Sequence, residues 1–193
     1  MRRIAISVLL AIAAVSPVYG QVRLLLDSQT QCGIMTDVAE LNGISWNGPC
    51  AGQLANGRGV LVFKRRDGRL EKYEGEMRAG RIEGRGTYTL PNGSTFAGDF
   101  RNDKPDGRGV LTWPTGDRYE GEMRDGKYNG HGTMILAGGG RYVGEYRDGK
   151  ANGYGTKTNA AGRSYSGQWT NGCFRDGNFW ATAGSTPQEC GFK

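Results

Sequence analysis

FAGDFRNDKPDGRGVLTWPTGDR (residues 96–118), YEGEMRDGKYNGHGTMILAGGGR (119–141) and YVGEYRDGKANGYGTKTNAAGRS (142–164) follow one another without a gap and share one template. Tyr73, Phe96, Tyr119, Tyr142 and Tyr165 are spaced 23 residues apart, and each is followed two residues later by Gly75, Gly98, Gly121, Gly144 or Gly167. A second glycine pair keeps register at Gly84/Gly86, Gly107/Gly109, Gly130/Gly132 and Gly153/Gly155. An earlier copy starts at Trp46, with Gly48, Gly57 and Gly59 at the same offsets and four extra residues before Tyr73. In the last copy Asp176 and Asn178 stand where the glycine pair belongs, as befits a terminal repeat. The units are 46–72, 73–95, 96–118, 119–141, 142–164 and the incomplete 165–179.

Within a unit the side chains alternate: Tyr119, Gly121 and Met123 against Glu120, Glu122 and Arg124. Period two means strands. Asp125-Gly126 and Asp148-Gly149 inside units, and Asn92-Gly93 and Gly139-Gly140 between them, are dipeptides that accept the positive φ of tight hairpins. Each unit therefore reads as a β-hairpin, and the only helix the pattern allows is a short turn near Thr36 to Leu41. One ring per hairpin can lie over a neighbouring strand only where no side chain stands beneath it, which gives the glycine columns a packing purpose. Stacked hairpins bury that face together where one alone could not. The expected fold is all-β: an elongated single-sheet ribbon of about six stacked hairpins, roughly twelve strands and on the order of 55 Å long at about 4.8 Å per strand, curled by sheet twist.

The pattern Y-x-G-(x4)-G-(x3)-G-x-G at a 23-residue period resembles the MORN (membrane occupation and recognition nexus) repeat, over about residues 46–179. Cys50 takes the position that Met77 and Met123 occupy in their units. Departures are the degenerate last unit, and Lys157 and Asn159, which are polar where Leu111 and Trp113 or Met134 and Leu136 stand earlier. The resemblance implies association through the repeats, by self-association or by docking of a protein partner. The family's name also implies a membrane link.

Outside the repeats, residues 1–20 (MRRIAISVLLAIAAVSPVYG) combine Arg2 and Arg3, an apolar stretch from Ile4 to Val15 and a small Gly20. They read as a secretory signal peptide cut after Gly20, which makes the protein exported, periplasmic or extracellular. Removal of the leader lowers the formal charge from +6 to +4. The 34 glycines are about 18% of the chain against a usual 7% or so. Collagen would need strict triplets and more proline, and a disordered linker would not carry 37% hydrophobic residues. In an oxidising compartment the four cysteines read as disulfides rather than metal ligands, with three pairings open. The repeat geometry puts Cys32 and Cys50 at one end of the ribbon and Cys173 and Cys190 at the other, so the expected pairs are Cys32–Cys50 and Cys173–Cys190. They would staple an N-terminal cap (21–45), which adds a strand through Val22 to Leu26 or provides a separate contact, and a C-terminal tail (180–193).

Catalytic signals are weak. His131, the only histidine, occupies a repeat position held elsewhere by Arg58, Arg85, Arg108 and Tyr154. Gly162, Ser164, Ser166 and Gly167 miss nucleophile-elbow spacing and precede a strand. The G-x-G pairs lack a βαβ unit around them. The reading is of a non-enzyme with no catalytic or metal residues, no cofactor and no small-molecule substrate. Glu76, Asp99, Glu122 and Glu145 form an acidic column about 10 Å apart, each with Arg78, Arg101, Arg124 or Arg147 two residues on: a solvated face, or a charge-striped docking surface. The ring column Trp46, Tyr73, Phe96, Tyr119, Tyr142, Tyr165 packs over glycine, or lines a groove for a peptide, glycan or helix. Lys64, Arg65, Arg66, Arg69 and Lys72 cluster in the longer first hairpin and could meet an acidic partner or anionic lipid. A charge of +4 spread along the chain argues against nucleic acid. Asn92-Gly93-Ser94 is a glycosylation sequon that turn chemistry also explains. The expected function is an exported scaffold that offers an elongated β-surface to a protein partner in the cell envelope, with binding to anionic lipid as the alternative and an enzyme with an unrecognised site ranked lowest.

Overall fold

The computed structural model describes residues 22–177 and 179–192, so the leader over 1–20 lies outside the described residues. Seventeen strands follow in chain order: β1 (Arg23–Leu26), β2 (Gly33–Thr36), β3 (Leu41–Trp46), β4 (Cys50–Ala51), β5 (Leu54–Ala55), β6 (Gly57–Arg65), β7 (Leu70–Arg78), β8 (Arg81–Thr89), β9 (Thr95–Arg101), β10 (Lys104–Thr112), β11 (Arg118–Arg124), β12 (Lys127–Ile135), β13 (Arg141–Arg147), β14 (Lys150–Thr158), β15 (Ser164–Trp169), β16 (Cys173–Asp176) and β17 (Phe179–Thr182). No helix occurs among the described residues. The expected turn near Thr36 to Leu41 is corrected accordingly: Thr36 closes β2 and Leu41 opens β3. Residues 37–40 are only a link between two sheets, too short to recover the cost of helix nucleation.

Eleven strands, β3 and β6 to β15, form one antiparallel meander in which neighbours in sequence are neighbours in space. Turns inside units have two left-handed central residues, as at Asp125 and Gly126 (φ 49° and 78°), which matches the strand twist. Each such turn also hooks onto the preceding hairpin. Asp103 N–H donates to Ile82 O, Gly126 N–H to Pro105 O, Gly149 N–H to Tyr128 O and Gly172 N–H to Ala151 O, at 2.7–3.0 Å. The acceptors recur every 23 residues, so the latch is part of the repeat. The four extra residues of the first unit lengthen the β6–β7 hairpin, where Phe63 pairs with Glu71 and Lys64 with Leu70.

At both ends the chain leaves the meander. Beyond Trp46 it detours through β4 and β5, which join β1 and β2 in a four-stranded sheet of order β1-β2-β5-β4. Met35 N–H donates to Gly80 O and Gly80 N–H to Ala55 O, fixing this sheet to the β7–β8 turn. At the other end β16 pairs with β17 instead of extending the meander; its one ladder bridge to the preceding chain is Thr170–Cys173, just past β15. The unit boundary at 179 thus falls at the start of β17. Cys32 is bonded to Cys50 and Cys173 to Cys190, with Cα atoms 6.0 and 5.6 Å apart.

The core is one face of the meander. Trp46, Tyr73, Phe96, Tyr119 and Tyr142 are buried on it, and Tyr165 is half-buried. The reading of one aromatic per hairpin is incomplete: Phe100, Tyr146 and Trp169 add a second ring column, with Met77 and Met123 at the same position. Phe96 meets Phe100 at 5.2 Å and 84°, Tyr142 meets Tyr146 at 5.2 Å and 81°, and Tyr142 meets Trp169 at 5.1 Å and 83°. These are edge-to-face contacts, favoured by the ring quadrupoles. The second column repeats every 23 residues, four after the first, so its signal lies in the same periodicity.

Candidate functional site

Two faces of the sheet could carry function, and each is built by the repeat. On the core face a Cβ on Gly132 would lie 2.5 Å from the Tyr119 Oη, and one on Gly121 would lie 2.5 Å from the Gly132 Cα. The ring therefore lies flat on two glycine strands. Tyr73, Tyr119 and Tyr142 each donate their hydroxyl to the carbonyl three residues on, that of Glu76, Glu122 or Glu145, at 2.8–3.2 Å. Burial pushes the Tyr73 and Tyr142 hydroxyls up to about 12, so they stay protonated donors in physiological conditions.

The opposite face is polar. Pairing sets Arg58 opposite Glu76, Arg85 opposite Asp99, Arg108 opposite Glu122, His131 opposite Glu145 and Tyr154 opposite Gln168. The second strands of the second to fifth units carry a bulge here, at Gly130 (φ 89°) in β12 for example. The acid of the first strand leans over it, with Glu122 against Gly130 and Glu145 against Gly153. Asp99 also accepts the Arg108 N–H, and Glu145 the Tyr154 N–H, both at 3.1 Å. The acids thus form no isolated column: strand pairing places Arg85 between Glu76 and Asp99, Arg108 between Asp99 and Glu122, and His131 between Glu122 and Glu145. Arginine and acid alternate across the six strands β6 to β11, and His131 and Glu145 continue the row on β12 and β13. The arginines two residues after the acids sit elsewhere, Arg101 for instance on Asp106.

A shallow groove of about 620 Å³ runs across this face. Gly86, Gly98, Gly109 and Gly121 line its floor, with Arg85, Arg108, Glu122 and His131 above. Arg85 lies 3.2 Å from Asp99 and Arg108 3.7 Å from Glu122, yet the two arginines are 86% and 83% exposed. Pairs this exposed contribute about 0–1 kcal/mol to stability.

The basic cluster of the first hairpin is partly neutralised. Arg65 is clamped on buried Glu71, which also accepts the Tyr88 hydroxyl; Arg69 lies 2.6 Å from Asp67, and Lys72 3.1 Å from Glu74. Lys64 and Arg66 make no ion pair among the described residues, and Leu70 beside them is 57% exposed. Ser164 and Ser166 share hydroxyl hydrogen bonds with Thr158 and Thr156, at 2.9 and 2.8 Å, on the polar face. Asn92 accepts the Ser94 N–H at 3.0 Å, and Ser94 is buried, so the sequon forms a folded turn. No group of three metal-binding side chains occurs among the described residues.

The MORN repeat family model matches residues 73–95, 96–118, 119–141 and 142–162. No curated protein matches the chain. MORN repeats are associated with protein or membrane-lipid binding and are generally not catalytic.

Proposed function

Because residues 73–162 of this chain are four consecutive MORN repeats, we propose that the protein is a non-enzymatic exported scaffold whose polar sheet face docks a protein partner in the cell envelope. The observation that carries this reading is the alternating row from Arg58 to Glu145, whose exposed charges contribute little to folding. Rigid strands hold the row at fixed spacing, so a partner with complementary charges meets a preorganised surface and gains rate and specificity from it. The two cysteine pairs fit an oxidising compartment and so support export.

The test is photo-crosslinking in cells from a probe at Arg85, with Arg85→Glu/Arg108→Glu as the disrupting variant. A discrete crosslinked protein that disappears in the double variant is expected. Crosslinks that the charge reversal leaves unchanged would sink the reading. Mass spectrometry of the exported fraction checks the leader, with Gln21 as the expected first residue.

A second reading is supported by the hairpin tip, where Lys64 and Arg66 stand beside exposed Leu70: peripheral binding to anionic lipid through Lys64, Arg65, Arg66, Arg69 and Lys72. Flotation with neutral and anionic liposomes separates the two. Binding to anionic vesicles that persists at physiological salt and is lost in Lys64→Glu/Arg66→Glu would put lipid first. No flotation at either salt leaves the protein partner in front.

A further inference from the structure

The core face is covered at both ends, by the four-stranded sheet and by the β16–β17 hairpin, and between them it opens into a cleft of about 400 Å³. Trp113, Tyr128, Met134, Leu136 and Tyr146 form its apolar walls, and the backbone from Thr182 to Gly184 closes one side. Lys157 stands at that side. Its column reads Leu61, Tyr88, Leu111 and Met134 in the preceding units, and strand pairing sets Lys157 between Tyr142 and Tyr165. The repeat is therefore broken by a charge where it is otherwise apolar.

The Lys157 ammonium is half-buried and donates to the Thr182 carbonyl. Among the described residues it has no carboxylate partner, so two of its three N–H bonds lack a protein acceptor. Burial lowers its pKa, and no neighbouring acid offsets that. Asp117 also lines the cleft, but its carboxylate is engaged by the Ala137 N–H at 2.8 Å and the Thr115 hydroxyl at 2.9 Å. Arg141, at the cleft margin, makes no ion pair among the described residues.

We propose that this cleft binds a fatty-acid-like monocarboxylate, its chain along Trp113 and Met134 and its head on the free N–H groups of Lys157. One anionic head with two acceptor oxygens matches two open donors, and the volume falls within the range of small-molecule sites, about 300–1,000 Å³. This goes beyond the proposed scaffold role, because the cleft is on the opposite face from the charged row.

The probe is dodecanoate, with dodecanol as its uncharged counterpart, titrated by calorimetry below micellar concentrations into the protein with both disulfides formed. Dodecanoate is expected to bind one-to-one and dodecanol about tenfold weaker or more, the range of a charge-assisted hydrogen bond. Lys157→Met should remove that preference while the melting temperature holds or rises, since an apolar side chain restores the column. Met134→Trp, which fills the cleft away from the ammonium, should abolish binding of both. No binding of dodecanoate, or equal binding of acid and alcohol, would overturn the proposal. So would unchanged dodecanoate affinity in Lys157→Met, since the native amine would then serve only to hold the Thr182 strap.

Discussion

At the scale of single residues the fold depends on atoms that are absent. Gly132 has no Cβ because the Tyr119 ring occupies that space, whereas a Cβ on Gly138 would meet nothing within 4 Å. Gly132→Ala should destabilise the protein by about 1–3 kcal/mol, the usual range for overpacking, and Gly138→Ala should be neutral within about 0.5 kcal/mol, both read by urea denaturation. Asp27 is the other decisive residue. It is buried at the N-terminal end, and its carboxylate accepts the N–H groups of Gln29, Thr30 and Trp46 at 2.7–3.0 Å. These bonds, Thr30's foremost, hold its carboxyl below the ordinary 3.8. A depressed folded pKa means that the stabilisation is complete above the unfolded value and fades as pH falls through the folded one. Asp27→Ala should cost about 2–3 kcal/mol at neutral pH, and thermal melts of variant and parent should draw together only as pH falls below 3.8 and through the lower folded pKa.

Among the elements, the two ends differ from the meander in what holds them. The β16–β17 hairpin does not continue the sheet; it folds onto the core face through Tyr165 stacked on Phe179 at 3.8 Å and Trp169 on Phe174 at 5.1 Å. It covers the region where Lys157 and Asn159 replace apolar residues. The Cys173–Cys190 bond closes a loop over a separation of 17 residues, worth about 3 kcal/mol by chain entropy. In Cys173→Ser/Cys190→Ser the stacked rings remain and so does the meander. Hydrogen exchange should therefore show protection lost around Phe174 and Ala181 and retained from β7 to β13. Loss of protection throughout would mean that the cap and the sheet unfold as one unit.

The whole molecule behaves as a one-dimensional stack, since each hairpin contacts chiefly the hairpins on either side. Deleting residues 119–141 removes one full period and should leave a folded all-β protein with a smaller urea m-value, because Tyr142 and Gly144 then face Leu111 and Gly109 in the register that Tyr119 and Gly121 had. Deleting a 20-residue span such as 119–138 breaks that register and should abolish the cooperative transition. The hairpins, their turns, the glycine-and-ring packing and the end-by-end grouping of the cysteines are legible along the chain. All of these follow from residues a fixed distance apart along the chain, and a 23-residue period states that distance directly. Which charges meet is settled only when the strands pair. Arg108 faces Glu122 and not Arg124 because the length of the turn between β10 and β11 sets their register, which a column of like residues does not display. The ends are decided there too: β4, β5 and β16 leave the meander although their residues lie within the first and last units, and their places, with that of β17, follow from disulfide closure and from the uncovered rings they pack against. Lys157 was visible in the sequence as a polar exception, but its half-buried ammonium exists only because a non-repeating strap folds back across the sheet.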